Sequence, residues 1–295
     1  MESVTIVGAG RVGGALAIAL ARAGYNIDLF ITRKSNHFIP FSNQFDVPPD
    51  ITDWESLNEI SSNIVFIATQ DSEIENAAES LKPFVNDKQI VFHTSGSLAS
   101  SVLNELKGTG AAVGSIHPLT AISEAFSGAE KFKNSYFCLE GDDTAIAIAR
   151  DIVRDLKGKA FSVDTKFKAL YHAGAVMAAG HVVALISMSL EILKKCGIAE
   201  NEAGEIIKPL VKSTFENVFA VGPEQALTGP FARADAETFE RHLQILRATV
   251  NDNVVETYLS LAEQSLEISA DRQRQPERFE DLREKVLIEK KRLGC

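Results

Sequence analysis

The stretch Val4-Thr5-Ile6-Val7-Gly8-Ala9-Gly10-Arg11-Val12-Gly13 decides the fold of this 295-residue chain. A short apolar, β-branched run leads directly into G-x-G-x-x-G, and an Ala-rich helical pattern follows. In that context each glycine has a mechanical task. Gly8 permits a tight turn, Gly10 lets an anion approach the backbone, and Gly13 lets the helix pack close to the strand. The helix start then offers free N–H groups and the positive end of its dipole to a phosphate. Gly8, Ala9, Gly10, Arg11, Val12 and Gly13 are therefore the expected phosphate-binding turn of a dinucleotide site.

Outward from this turn, strand-like and helix-like stretches alternate. Apolar runs at 27–31, 63–68, 89–93 and 111–116 are separated by helical patterns at 73–81 and 98–106, and Gly24 stops the first helix. This alternation predicts an α/β fold with a parallel, doubly wound Rossmann sheet. Runs at 136–139 and 160–163 add two edge strands around a helix at 145–156. Residues 35–50, with Pro40, Pro48 and Pro49, read as a surface excursion. After Asp164 the strand signals vanish, and helical patterns follow at 165–196, 202–221, 236–249, 254–270 and 276–293. Pro209 is expected to break or kink the second of these. The expected organisation is a dinucleotide-binding domain over 1–164 and an all-helical domain for substrate and dimerisation over 165–295.

Composition narrows the function classes. The net charge of −10 disfavours nucleic acid and anionic membranes as partners, because both need clustered Lys and Arg. Cys138, Cys196 and Cys295 are far apart and form neither a disulfide framework nor metal-ligand spacing, which points to a reducing cytoplasm and no metal. Residues 169–190 contain no Asp, Glu, Lys or Arg and are long enough to span a bilayer. His172, His181 and the many small residues favour a buried central helix. That helix needs more cover than one small helical domain gives, so a homodimer built on the C-terminal helices is expected.

The end of the second strand selects the cofactor. NAD sites usually place an acid there for the ribose hydroxyls. Here the end reads Thr32-Arg33-Lys34, which suits a 2′-phosphate and hence NADP. Ala68 and Thr69, at the end of the next strand, are expected against the cofactor. Asp71 and Ser72 read as helix-start chemistry, with Ser72-x-x-Glu75 as a capping box.

Two further strand ends, His93-Thr94-Ser95-Gly96 and Ser115-Ile116-His117-Pro118, would reach the same crevice. Ser95, Gly96 and His117 are candidate substrate contacts, whereas His93 reads as structural. Lys168 and His172 stand four residues apart on one helix face at the entry to the apolar stretch. Both suit proton transfer, although that spacing is equally met by an exposed Lys and a core His. Ala226-Leu227-Thr228-Gly229-Pro230 precedes Arg233 and Asp235; Arg233 could clamp a carboxylate or pair with Asp235.

On these motifs, with Tyr171-His172-Ala173 and His242, nearly the whole chain resembles a family of Rossmann-like proteins assigned as NADP oxidoreductases with a C-terminal domain of unknown function. It is more distantly similar to phosphogluconate and β-hydroxyacid dehydrogenases, pyrroline-carboxylate reductase and prephenate dehydrogenase. The resemblance implies a helical domain like that of phosphogluconate dehydrogenase and a dimer. In β-hydroxyacid dehydrogenases a catalytic Lys precedes an Asn by four residues; Lys168 fits the Lys, and His172 stands where the Asn would be. The resemblance thus implies Lys168 as the main proton group, with His172 and His117 beside it, and Thr228, Gly229 and Arg233 on the substrate. The expected activity is NADP-dependent hydride transfer to or from a C–O or C–N carbon of a small, carboxylate-bearing molecule. The alternative is a non-catalytic NADP(H)-binding protein.

Overall fold

The computed structural model describes residues 2–33, 42–269 and 271–294. Residues 35–41 of the expected 35–50 excursion, and Lys34, lie outside the described residues. The chain divides into two compact units, Met1–Gly180 and His181–Cys295. The division falls later than the expected Asp164, because the first helical turns after the sheet pack with the sheet.

In the first unit, β1 (Ser3–Val7), α1 (Arg11–Arg22), β2 (Asn26–Thr32), β3 (Asp50–Asp53) and β4 (Ile64–Ile67) open the sheet. They are followed by α2 (Ile74–Leu81), β5 (Ile90–His93), α3 (Asn104–Lys107), β6 (Ala112–Leu119) and α4 (Ala125–Lys131). The unit closes with β7 (Tyr136–Gly141), α5 (Asp143–Asp155), β8 (Lys159–Phe161) and α6 (Lys168–Ala178). The strand order is β3-β2-β1-β4-β5-β6-β7-β8. Neighbours are parallel except β6 and β7, which are antiparallel. The expected doubly wound sheet is present, with one reversal at its far side. The β3 strand, of which the expected 35–50 excursion touches only Asp50, is an unanticipated edge strand paired with β2. Its Asp-Ile-Thr-Asp sequence has too little apolar character to announce a strand.

The central strands are apolar on both faces because each face carries its own core. One holds Ile6, Phe30, Phe66 and Phe92 beneath α1, α4 and α5. The other holds Val7, Ile31, Val65, Ile67 and Val91 beneath α2 and α3. This two-sided burial is why parallel strands read as continuous hydrophobic runs. The chain crosses between faces around β1 and β4, so the turns after these strands flank one crevice.

The expected capping box does not form. A 3-10 turn at Asp71–Glu73 precedes α2, and no side chain caps the helix. Ser72 therefore has no N-cap geometry to fill.

The second unit contains α7 (Gly180–Lys195), α8 (Glu200–Val221), α9 (Pro223–Ala226), α10 (Ala236–Thr249), α11 (Asp252–Ile268) and α12 (Pro276–Leu293). Its core is built by α10, α11 and α12 around Phe239, Val255, Leu259, Phe279 and Leu282. Pro209 lies inside α8 without ending it, so of the expected break or kink the break is absent. The apolar stretch over 169–190 is also not a buried central helix. It is two helices, interrupted at Ala179, and no residue of α7 is buried within the chain. Three other helices fill the core, and α7 packs against it only through partly buried residues such as Ile192. By length and apolarity, Thr165–Lys195 matches a membrane span, with mean hydropathy 1.9.

Candidate active site

The glycine turn works by close approach. Gly8 has φ +98°, and a Cβ there would lie 2.9 Å from the Ala68 carbonyl oxygen. A Cβ on Gly13 would stand 2.1 Å from the Gly8 oxygen, so α1 can dock only without one. At Gly10, the N-cap of α1, a Cβ would meet nothing within 4 Å. The space in front of the helix start is open, as phosphate binding to backbone N–H groups requires. The first turn of α1 has no acidic residue to repel an anion. Hydrogen bonds from Gly8 N to Ile31 O (2.9 Å) and from Ala68 N to Val7 O (2.8 Å) fix the turn between its neighbours.

A cavity of about 760 Å³ opens from this turn, lined by Gly8, Ala9 and Gly10, by Thr32 and Arg33, by Ala68 and Thr69, and by Trp54. Its far wall is the face of α2 and the preceding turn that carries Glu73, Asn76 and Ser80. The volume, glycine turn and helix start fit a dinucleotide. Arg33 forms an ion pair with Glu73 across this cavity. Thr32 and Arg33 thus stand where the sequence reading put them; Lys34 lies outside the described residues.

A second cavity, of about 230 Å³, shares Ala68 and Thr69 with the first. Val12, Asp71, Ser95, Gly96, His117 and His172 are among its lining residues. His117 comes from the end of β6 and His172 from α6, and their rings are 5.5 Å apart, edge to face. Gly96 makes room for both: a Cβ there would lie 2.4 Å from His172 Nδ1 and 2.7 Å from His117 Nε2. His117 Nδ1 is 2.8 Å from the Tyr171 hydroxyl. Burial, then the neighbouring His172 and Lys168, push the His117 pKa down to about 4, so the ring is neutral at pH 7. Burial raises that of Tyr171, so the phenol keeps its proton. His93 is buried, with its pKa lowered to about 3 chiefly by burial, and its Nδ1 accepts from Ser95 N at 3.2 Å.

Lys168 is buried close enough to His117 and His93 to lower their pKa values. It is 1% exposed and does not line this cavity. Its Nζ donates to Ser115 Oγ at 2.5 Å and lies 3.7 Å from Glu140 Oε2. Ser115 and Glu140 are register partners on β6 and β7. Glu140 also accepts bonds from Ser100 N and Ser100 Oγ. Burial lowers the Lys168 pKa, with Glu140 opposing. Lys168 and His172 share a helix face, but the lysine ammonium bonds Ser115 Oγ while the imidazole lines the cavity.

Thr228, Gly229 and Arg233 belong to the second unit. They lie on the segment between α9 and α10, where Gly229 has φ +87°. Asp235, one alternative partner of Arg233, caps α10 by accepting from Thr238 N at 3.0 Å and Thr238 Oγ1 at 2.9 Å. Among the described residues, no group of three or more His, Cys, Asp or Glu side chains is placed to hold a metal.

Residues 1–118 match the Rossmann-like domain, and residues 135–265 match the Domain of unknown function (DUF2520). The chain pairs a Rossmann-like domain with a DUF2520 domain. The boundary does not separate sheet from helices: the DUF2520 match begins beside β7, so it includes the end of the sheet as well as Lys168, Tyr171 and His172. The Rossmann-like match supplies the glycine turn, Ser95, Gly96 and His117. The second cavity is thus built by both domains. No curated protein matches the sequence. Among solved structures, the chain is similar to BF3122 of Bacteroides fragilis, assigned as an NADP oxidoreductase, with 21% identity and a TM-score of 0.75 over 90% of this chain and 98% of that one. Protein TM1727 of Thermotoga maritima gives 24% identity and a TM-score of 0.66 over 90% and 98%. A reductive aminase from Aspergillus terreus, solved with NADPH and ethyl-5-oxohexanoate, gives 12% identity and a TM-score of 0.66 over 90% and 94%.

Sequence reasoning missed three residues of the site. Asp71 was read as helix-start chemistry, but its carboxylate accepts from Ser95 Oγ at 2.8 Å on the cavity wall. Tyr171 gave no signal beyond its place beside His172. Glu73 looked like an ordinary first-turn acid. Only the cavity shows that it faces Arg33.

Proposed function

We propose that this protein is an NADP(H)-dependent oxidoreductase acting at a C–O or C–N carbon of a small polar substrate. The observation that carries this reading is the sharing of Ala68 and Thr69 between the glycine-turn cavity and the histidine cavity. A dinucleotide with its pyrophosphate at Gly10 and its adenosine end toward Arg33 would extend its other end toward His117. The nicotinamide supplies or accepts the hydride. The protein's own residues manage the proton. Tyr171, kept protonated by burial, donates into His117 Nδ1 and leaves the imidazole proton on Nε2. As hydride reaches its carbon, that proton passes to the freed oxygen or nitrogen while the Tyr171 proton moves onto Nδ1, so the ring stays neutral; the tyrosinate left behind takes a proton from solvent, and the reverse reaction runs the same relay backwards. His172 packs against the imidazole, and Asp71 and Ser95 offer polar contacts for the substrate. Lys168 serves as a positioning group beneath β6, while Arg233, Thr228 and the Gly229 backbone remain the proposed anchor for a substrate carboxylate.

The test is a fluorescence titration with NADPH and NADH, followed by turnover on hydroxy acids, keto acids and imines. NADPH should bind more tightly, and Arg33→Ala should narrow the gap. Equal affinities would refute the NADP assignment. Tight NADPH binding without turnover on any substrate class would favour the non-catalytic, NADP(H)-binding alternative.

The assembly we propose is a homodimer through α7 and α8. Val183 on α7, and Leu210 and Phe219 on α8, are 69%, 67% and 84% exposed. A bilayer suits α8 poorly, because Glu205, Lys208, Lys212 and Glu216 share the helix. A second copy of the same surface suits it better. Light scattering should give twice the monomer mass, and Leu210→Glu should halve it. A wild-type monomer at micromolar concentration would overturn the assembly.

A further inference from the structure

Building on the NADP(H) reading, we infer that Glu73 sets how strongly the nucleotide pocket distinguishes a 2′-phosphate from a 2′-hydroxyl. The end of β2 lacks the acid that normally receives ribose hydroxyls and carries Arg33 instead. A carboxylate is nevertheless present. It enters from the opposite wall, on the turn before α2, where Glu73 shares the cavity face with Asn76 and Ser80. The Glu73 carboxylate holds the Arg33 guanidinium, and the two side chains are 35% and 74% exposed. Among the described residues lining this cavity, Arg33 is the cation and Glu73 the anion, and the two already satisfy each other.

The two nucleotide forms meet this pair differently. A 2′-hydroxyl needs only an acceptor, so Glu73 can receive it while still holding Arg33. A 2′-phosphate must draw Arg33 away from Glu73 and then lie beside a carboxylate of like charge. Glu73 thus opposes the preference that Arg33 creates and keeps it moderate. Both charges remain reachable by solvent, so the opposing effect is a matter of several-fold and weakens with salt.

The experiment uses the full chain and two probes, 2′,5′-ADP and 5′-ADP, measured by calorimetry at low salt. Glu73→Gln should tighten 2′,5′-ADP by roughly two- to fivefold and leave 5′-ADP unchanged or slightly weaker. In an Arg33→Ala background, Glu73→Gln should act less strongly, because the ion pair is already gone. Equal shifts for both probes, or no shift in their ratio, would overturn the inference. Wild-type protein that binds neither probe would instead overturn the dinucleotide reading on which it rests. Unfolding of Glu73→Gln is checked by circular dichroism. Should that variant fail to fold, Glu73→Asp, which shortens the reach to Arg33, should raise the 2′,5′-ADP to 5′-ADP ratio; an unchanged ratio there counts against the inference.

Discussion

Replacing Lys168 by Met separates a positioning lysine from a catalytic one. The ammonium is 1% exposed and touches Ser115 Oγ and, at 3.7 Å, Glu140. Met preserves most of the stem volume and removes the charge. The Glu140 carboxylate, 9% exposed, is then left without its cation. Losing one partner of a buried pair costs about 3–5 kcal/mol. Glu140 keeps the Ser100 N and Oγ bonds, and Ser115 Oγ can still bond the Ser95 carbonyl at 3.4 Å, so the lower end applies, about 3 kcal/mol. For a unit of this size that lowers Tm by roughly 6–12 °C. The depressed Lys168 pKa means that burial outweighs what Glu140 returns. The double variant Lys168→Met/Glu140→Gln should therefore recover most of the loss, as removing both partners of a buried pair usually does. Thermal and urea unfolding at pH 7 provide the measurement, with NADPH titration as the control for an intact pocket. A Lys168→Met protein of wild-type stability, or a double variant no more stable than the single, would refute the positioning role. If stability holds and turnover alone collapses, Lys168 transfers the proton after all.

The remaining expectations concern the glycines and the histidines. Gly13→Ala forces a Cβ against the Gly8 oxygen and should abolish NADPH binding in the fluorescence titration. Gly96→Ala strikes His172 and His117 instead, so it should shift both imidazoles in NMR spectra while NADPH affinity stays within about twofold. Burial lowers the pKa of His93 to about 3 and of His117 to about 4. Above pH 6.5 both are neutral in the folded and unfolded chain, and their contribution is fully present. As pH falls from 6.5 toward 4, only the unfolded chain gains protons, so stability should fall by about 3 kcal/mol between pH 7 and pH 5. Denaturation curves at the two values that superimpose would exclude this, and His93→Gln should remove about half of the slope.

The N-terminal fold was legible because its causes are local. Gly8, Gly10 and Gly13 follow from backbone sterics within one turn, and β1, β4 and β5 announce themselves as two-sided buried runs. Arg33 was legible as a charge at a strand end. The β3 edge strand was not, because pairing with β2, rather than its own apolar pattern, makes it a strand. Lys168 shows the same limit. Helical spacing placed it on a face with His172, but it could not say how far a flexible stem carries its charge. The Ser115–Glu140 register across β6 and β7 decides that, drawing the ammonium to Ser115 Oγ and toward the Glu140 carboxylate. Glu73 and Asp71 likewise looked like acids that favour a helix start, and only the crevice between β1 and β4 gives them Arg33 and Ser95 as partners. Sequence by itself determined what short-range sterics and periodicity impose: the glycine turn, the alternation, and the apolar stretch at 169–190. Tertiary structure alone decided which charges meet, because those contacts join residues 24 to 53 positions apart and depend on strand order that no local pattern encodes.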